Sequence, residues 1–197
     1  GDDYPGLDGC FTADSGCPLD LVACAPFQSS PNRLGSEKNM TADIRFELVG
    51  QLKKARSEMI AHLDEIDKNR KIYPLWTIRE ILAHIAGWDD AIIASLSAHI
   101  AGREPGTPAA RGVDLYNAET VATREGLDYD HIYREYIHTR EMLIDLVSNM
   151  PLEKAGQRFI MPWGDEGDLR SLLEVFIEHE FEHAEDVRKL IDQAASA

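Results

Sequence analysis

Apolar side chains recur every three or four positions over four long stretches of this chain, which is the period of an amphipathic helix. The first stretch predicts a helix over about residues 42–69, with Thr41 as its cap. In the second stretch, Thr77 and Glu80 form a capping-box pattern and Gly102 ends the helix. The apolar stripes behind these two predictions are Ile44, Leu48, Leu52, Met59, Leu63 and Ile66, then Ile78, Ile81, Leu82, Ile85, Ile92 and Leu96.

The second half of the chain repeats the helical pattern. Asp128 can cap a third helix that Pro151 stops, and Asp168 can cap a fourth. The stripes are Ile132, Tyr136, Leu143, Val147 and Met150, then Leu172, Leu173, Phe176, Ile177, Val187, Leu190 and Ile191. Because strand-like alternation is almost absent, the sequence predicts an all-α fold, a four-helix bundle.

Two segments fall outside this pattern. Residues 103–126 form a long connection between the second and third helices, with a short helix around "LYNAETVATR". Residues 1–39 are rich in Gly, Pro, Ser and Asp and show no helical period, so they read as an irregular extension of a bundle domain over residues 40–197. Met40 could be a natural start or could follow an upstream extension, and the residues do not decide between these.

Charge and cysteine content narrow the function classes. The formal charge of −15 argues against a nucleic-acid partner, because the chain offers little basic surface for phosphate. No apolar stretch approaches the roughly 20 residues that cross a bilayer, and "GDDYPGLDG" does not resemble a signal peptide. We therefore expect a cytoplasmic protein with no membrane partner. Cys10, Cys17 and Cys24 all lie in the extension, where ordinary thiols are favoured over a metal site or an intermolecular disulfide.

Three histidines lie on inward-facing positions. His179 and His183, in "HEFEH", continue the apolar stripe of the fourth helix, and His84 lies on the buried face of the second, between Ile81 and Trp88. Three imidazoles pointing into one bundle are the ligand set of a divalent metal with an open position. The alternative is that each ring is satisfied by a core carboxylate or carbonyl. The remaining histidines, expected at the surface or near the first stripe, are His62, His99, His131 and His138.

"HEFEH" also satisfies the H-E-x-x-H pattern of zinc proteases. A protease of that type needs a third ligand well downstream of the second histidine, and here the chain only finishes its last helix. Glu185 and Asp186 are too close to His183 on that helix to reach the same metal. An all-helical fold also has no sheet edge on which to lay an extended peptide. The third ligand must therefore come from upstream, and His84 is the candidate.

The fragments "WTIREILAHIAGWDDAI" and "HEFEHAEDVRKL" resemble the DinB-like (DinB/YfiT) superfamily of four-helix bundles over about residues 41–193. That superfamily includes bacterial thiol transferases and thiol-dependent isomerases. The resemblance implies a divalent metal, most often zinc or nickel, held by one histidine of the second helix and two of the fourth. These positions match His84, His179 and His183. The resemblance also implies a possible homodimer.

Within that superfamily, "GWDD", "DLYNAETV" and "PWGDEGDLRSLL" are most similar to the ClbS/DfsB-like branch of colibactin self-resistance proteins. The colibactin self-resistance proteins of that branch are cyclopropane hydrolases, and some members of the branch lack the full histidine trio and work without metal. This chain keeps all three histidines. The resemblance therefore implies a related substrate chemistry without fixing the same mechanism.

Further side chains are candidates around the trio. Glu180 could act as a general base, although a flanking carboxylate on an acidic face is the favoured interpretation. Asp89 could orient a ligand histidine by accepting its second N–H. The mouth of a substrate pocket, or else ordinary packing under a long loop, is expected from Trp88, Tyr116, Asn117 and Trp163.

These observations predict a metal-dependent enzyme that adds water or a small thiol to a small electrophilic molecule, in detoxification or self-resistance. The partners would be the small-molecule substrate and a low-molecular-weight thiol. One alternative is a metal-free hydrolase or a binding protein that sequesters the molecule. Another is a bundle in which the metal only staples two helices, with no exchangeable coordination position.

Overall fold

The computed structural model describes residues 43–196, and this part of the chain is helical with one very short hairpin. The elements are α1 (Ile44–His62), α2 (Ile78–Ile100), α3 (Val113–Ala122), α4 (Tyr129–Asn149), α5 (Leu152–Ala155), β1 (Phe159–Ile160), β2 (Glu166–Gly167) and α6 (Leu169–Ala195). The long helices α1, α2, α4 and α6 confirm the all-α four-helix bundle. The predicted extension, its cysteines, Met40 and Thr41 lie outside the described residues.

The predicted helix starts are set by side-chain caps. The Thr77 and Glu80 capping box is present, with Glu80 accepting from the Thr77 backbone N–H at 2.8 Å. Asp128 and Asp168 cap α4 and α6. At α1 the cap is Asp43, whose carboxylate accepts from the backbone N–H of Arg45 at 3.0 Å.

The first helix is shorter than the predicted 42–69, because α1 ends at His62. Leu63 and Ile66 remain buried after the helix has ended, in turns closed by backbone bonds to His62 and Ile60. The apolar stripe therefore continues beyond the helix, and its periodicity cannot locate the end. Asp67 accepts from the N–H of residue 69 at 3.0 Å, an Asx turn that leads the chain away from the helix axis.

One of the two connections has the predicted structure, and the other carries more structure than the pattern predicted. The short helix expected around "LYNAETVATR" is α3, which begins at Val113. The segment after α4, predicted as a loop, contains α5 and the antiparallel hairpin of β1 and β2. Gly164 closes this hairpin with a φ of +102°, a conformation that favours glycine. Elements this short carry too few residues to show a period.

The helices leave one wider gap between them. α2 packs on α4 and α3, while α1 packs on α6, and the backbones of α2 and α6 lie further apart than these pairs. Long side chains bridge α2 and α6, with Trp88 against Phe176 at a centroid distance of 5.1 Å.

α3 approaches α2 closely, because a Cβ placed on Gly87 would lie 2.6 Å from the Thr120 Cβ. The hydroxyl of Tyr116 donates to the Gly87 carbonyl at 2.9 Å across this contact.

The apolar core is divided in two by a charged layer, which we define as Arg56, Asp89, Arg140 and Glu180, one residue from each long helix. On one side lie Leu48, Leu52, Trp88, Ile92, Leu96, Leu143, Val147, Leu172, Leu173 and Phe176. On the other side lie Met59, Leu63, Ile78, Ile81, Leu82, Ile132, Tyr136, Ala184 and Val187. Among the described helices, none combines the length and the apolar composition that crossing a membrane requires.

Candidate metal centre

The three predicted histidines meet between α2 and α6. His84 projects from α2, and His179 and His183 lie one turn apart on α6, all with at most 3% of their surface exposed. The Nε2 atom of His179 lies 3.3 Å from Nε2 of His84 and 2.8 Å from Nε2 of His183. Within residues 43–196, this trio is the one cluster of three potential ligands whose donor atoms are mutually close enough to hold a single ion.

Burial keeps all three rings neutral. It lowers the pKa of His84 and of His179 well below the usual histidine value, and each ring's neighbours in the trio lower it further. For His183, burial and the nearby His84 lower the pKa to about 3. At neutral pH each ring therefore offers an unprotonated nitrogen, which is the form that binds a metal.

The neutral trio fits a cation better than it fits a set of internal hydrogen bonds. A neutral imidazole carries one N–H, so the central Nε2 of His179 can donate at most one proton and cannot serve two neighbours as a donor. Three converging lone pairs repel unless a positive charge lies between them. Imidazole nitrogens are common ligands of zinc and nickel, so the residues present fit the divalent metal predicted from the sequence.

The segment between α1 and α2 covers the trio with two aromatic residues that lie outside the predicted helices. The Trp76 ring lies 5.0 Å from that of His84, and the Tyr73 ring lies 5.6 Å from that of His183. The Tyr73 hydroxyl also lies 2.8 Å from Nδ1 of His183 and 2.9 Å from a carboxylate oxygen of Asp186. The only signal in the sequence was the pair of aromatic residues in "YPLW", outside any helical stripe.

Asp89 has a different partner from the one predicted. Its carboxylate accepts from Arg140 Nε and Nη2 at 3.0 and 2.9 Å and from Arg56 at 3.0 Å, so it neutralises arginines instead of orienting a ligand histidine. Nδ1 of His84 accordingly has no hydrogen-bond partner among residues 43–196.

Glu180 belongs to the same charged layer. The expectation of a carboxylate on an acidic face is wrong, since Glu180 is fully buried. One Glu180 oxygen lies 2.7 Å from Arg56 Nε and accepts from the Tyr136 hydroxyl at 2.6 Å. The other oxygen lies 2.6 Å from Arg140 Nη1. Burial and the Glu180 charge raise the pKa of Tyr136 well above its usual value, so that hydroxyl stays a donor. Each of the two Glu180 oxygens thus pairs with an arginine.

The two arginines of the charged layer were missed, although the sequence held a signal. Arg56 falls between Leu52 and Met59 on the first stripe, and Arg140 falls between Tyr136 and Leu143 on the third. A charged residue at a core-facing position requires a buried partner of opposite sign. Two such arginines together with an inward carboxylate on another helix would have indicated an internal ion-pair network.

The aromatic residues predicted at the pocket mouth form one wall beside the trio. Trp88 packs on Tyr116 at a centroid distance of 4.6 Å and on Phe176 at 5.1 Å. Trp163, from the hairpin, lies 6.2 Å from Phe176, which itself lies 6.5 Å from the His179 ring. Phe176 therefore links the wall to the histidines, and its place on the fourth stripe had indicated only core packing.

Asn117 is buried in this wall with a fixed orientation. The indole N–H of Trp88 donates to its side-chain oxygen at 2.9 Å, and an indole can only donate, so the amide NH₂ must point the other way. That nitrogen is buried and has no acceptor in the described part of the chain. A buried unpaired donor is unfavourable unless a ligand or water supplies the acceptor.

One of the other histidines is not at the surface as expected. His99 is only 7% exposed, its ring stacks on Phe159 at 4.7 Å, and its Nε2 lies 3.0 Å from the backbone carbonyl of Lys154. The prediction failed because α5 and β1, which were not foreseen, cover this end of α2. The others are His62, His131 and His138, which are half-buried or exposed.

Comparison with known proteins agrees with this fold. Residues 51–187 match the DinB superfamily, and the chain belongs to that family. The structure is similar to that of a mycothiol-dependent maleylpyruvate isomerase, with a TM-score of 0.62 and 16% identity over 73% of this chain. The match spans only 60% of the isomerase.

A second solved structure is also similar. An uncharacterised protein from Escherichia coli UTI89 has a TM-score of 0.63 and 14% identity, covering 77% of this chain and 94% of that one. No curated protein sequence matches the chain. At these identities the structural similarity establishes the fold, and function must be argued from the site.

Proposed function

We propose that this protein is a metal-dependent enzyme in which His84, His179 and His183 hold a divalent cation, zinc or nickel. The observation that carries the proposal is the cluster of three buried, neutral rings, whose ligand atoms all lie within 4.8 Å of one another and in which Nε2 of His179 lies 2.8 and 3.3 Å from the other two Nε2 atoms. A metal with three histidine ligands and an open position supplies Lewis-acid activation of a water, a thiol or an electrophile.

The substrate in this proposal is a small electrophilic molecule with an oxygen acceptor. The buried amide NH₂ of Asn117, which has no acceptor within the described residues, would donate to a carbonyl or carboxylate oxygen of that molecule. The rings of Trp88, Tyr116 and Trp163 would form its apolar wall and limit the access of water. The Tyr116 hydroxyl already donates to the backbone, so it would accept a hydrogen bond from the substrate.

The nucleophile comes from outside the described bundle. Residues 43–196 contain no cysteine, so this part of the chain supplies no thiol, and the thiol in this proposal is a separate low-molecular-weight molecule. The similar isomerase, described as mycothiol-dependent, supports a thiol co-substrate. Water is the alternative nucleophile, as in the hydrolases of the ClbS/DfsB-like branch that the sequence fragments resemble. Either reaction would suit detoxification or self-resistance in the cytoplasm. The homodimer that the family resemblance implies stays a prediction.

Glu180 has a smaller role in this proposal than in the sequence-based hypothesis. Two guanidinium groups and the Tyr136 hydroxyl contact its carboxylate, so both of its oxygens already have partners inside the bundle. We propose that Glu180 fixes the position of α6 against the helices that carry its two arginines, and we assign no proton transfer to it.

A second candidate is a binding protein that sequesters the same class of molecule. The fixed donor of Asn117 and the aromatic wall favour it equally, because both features bind a molecule without requiring turnover. Consumption of thiol or formation of a hydrated product in the presence of an electrophile would establish the enzyme, while saturable binding without turnover would establish the binder.

The first experiment is metal analysis by mass spectrometry of protein purified without a metal-affinity column. We expect about one equivalent of metal per chain, as for a mononuclear site. His84→Ala and His179→Ala should lose it, while His138→Ala, an exposed histidine on α4, should retain it. A parent protein that stays metal-free after addition of zinc or nickel would overturn the metalloenzyme proposal.

A further inference from the structure

We propose that Tyr73 and Asp186 act together as positioning residues that fix the tautomer of His183. The inference rests on the proposed function, since it concerns how a metal ligand is oriented. Tyr73 lies in the segment between α1 and α2, and Asp186 lies three residues after His183 on α6. The Tyr73 hydroxyl stands between them, 2.8 Å from His183 Nδ1 and 2.9 Å from Asp186 Oδ2.

The direction of these hydrogen bonds follows from chemistry. The Asp186 carboxylate can only accept, so the Tyr73 hydroxyl gives its single proton to Asp186. The hydroxyl oxygen is then an acceptor towards His183, and Nδ1 of His183 must carry the ring proton. A neutral ring protonated at Nδ1 has its lone pair on Nε2, the atom that faces His179 at 2.8 Å.

This arrangement matters because the opposite tautomer would block the site. With the proton on Nε2, an N–H would point at the position where the three rings converge, and metal binding would first require the proton to move. Asp186 therefore determines which nitrogen of His183 carries the proton, and it does so through the hydroxyl of Tyr73. The other Asp186 oxygen, Oδ1, lies 3.2 Å from Lys189 Nζ.

Tyr73 and Asp186 also hold the segment between α1 and α2 against the three histidines. Tyr73 belongs to a tight turn in which the Trp76 N–H donates to the Tyr73 carbonyl at 3.2 Å, and the Trp76 ring packs on His84. One turn therefore contacts a ligand histidine on α2 and another on α6. The hydrogen bonds of Tyr73 define the tautomer of His183, whereas the Trp76 ring contacts His84 by packing.

The test measures zinc affinity by competition with a chromogenic chelator, on the full chain. Tyr73→Phe keeps the ring and removes the acceptor, and we expect zinc binding about 10-fold to 100-fold weaker, the usual effect of losing such a partner. Asp186→Ala should weaken it comparably, because the freed Tyr73 hydroxyl can then donate to His183 Nδ1. Asp186→Asn, whose amide oxygen can still accept from Tyr73, should recover most of the affinity.

The double variant Tyr73→Phe with Asp186→Ala should bind zinc no more weakly than Tyr73→Phe alone, since Asp186 acts through Tyr73. Matched controls are Tyr133→Phe, whose ring stacks on Tyr129, and Asp192→Ala, an exposed carboxylate further along α6. Both controls should retain the parent affinity. Unfolding midpoints of the metal-free proteins identify any variant that merely fails to fold.

The outcomes separate the two proposals. Failure of the parent to bind zinc or nickel overturns the proposed function and this inference with it. Normal zinc affinity in Tyr73→Phe or Asp186→Ala overturns the inference alone, as do additive effects in the double variant. If Tyr73→Phe does not fold, the comparison of Asp186→Ala with Asp186→Asn decides, because Asp186 is partly exposed and its removal leaves the core intact.

Discussion

Four charged residues lie where four apolar residues would have packed a conventional bundle. The two guanidinium groups of Arg56 and Arg140 balance the carboxylates of Asp89 and Glu180, and each residue is at most 6% exposed. Such an arrangement is tolerable only because every charge has a partner, since an isolated buried charge is strongly unfavourable. Glu180 follows His179 directly along α6, so the charged layer also fixes the rotation of the helix that carries two of the three histidines.

Removing one member of this layer should be far more damaging than removing its exposed neighbour. Asp89→Ala leaves two buried guanidinium groups short of a partner, and we expect it to lower the free energy of unfolding by about 3 to 5 kcal/mol. Asp90→Ala is the matched control, because Asp90 is exposed and pairs with Arg124 at the surface, and it should cost less than about 1 kcal/mol. Urea unfolding of the metal-free proteins checks this. Equal losses in the two variants would show that the layer adds no stability.

At the scale of elements, α3 determines how the aromatic wall meets the trio. It lies against α2 where Gly87 leaves room for Thr120, and it carries Tyr116 and Asn117. Since α2 also carries His84 and Trp88, the glycine sets the distance between the proposed substrate-binding side chains and the metal ligands.

A side chain at this contact should displace α3 and leave the metal ligands in place. In Gly87→Ala the new Cβ would lie 2.6 Å from the Thr120 Cβ, and we expect a loss of about 1 to 3 kcal/mol in the free energy of unfolding, as for other overpacked sites. Its metal content should match that of the parent. Gly50→Ala is the control, because Gly50 lies in α1 with open space around it, and that change should stabilise the protein by about 0.5 to 1 kcal/mol. An unchanged stability in Gly87→Ala would mean that α3 moves without resistance.

The helices show how far periodicity can predict elements. The second helix was expected after Thr77 and α2 begins at Ile78, since a side-chain cap marks the boundary. The end of α1 was misplaced because Leu63 and Ile66 are buried by turns and not by a helix. Periodicity reports which side chains are buried, and it locates an element boundary only where a cap or a proline coincides with it.

For the molecule as a whole, the candidate metal ligands were predictable and their surroundings were not. His84, His179 and His183 interrupt apolar stripes, so each helix alone showed that its histidine points inwards. The contacts of Tyr73 depend on the path of an irregular segment that approaches α6 from α1, and nothing local in the sequence encodes that path. The same holds for Asn117, whose orientation is determined by an indole on another helix.

A metal held between α2 and α6 should stabilise the whole fold, because these two helices are bridged by side chains with little backbone contact. A ligand that binds only the native state raises the free energy of unfolding by about 2.7 kcal/mol when its free concentration is 100 times its dissociation constant. Chelation of the parent protein should therefore lower its thermal midpoint, and added zinc should restore it. His84→Ala should show neither shift, while His138→Ala should behave as the parent does. A chelator effect of equal size in His84→Ala would place the metal elsewhere in the chain, because that variant lacks the only ligand that α2 contributes to the trio.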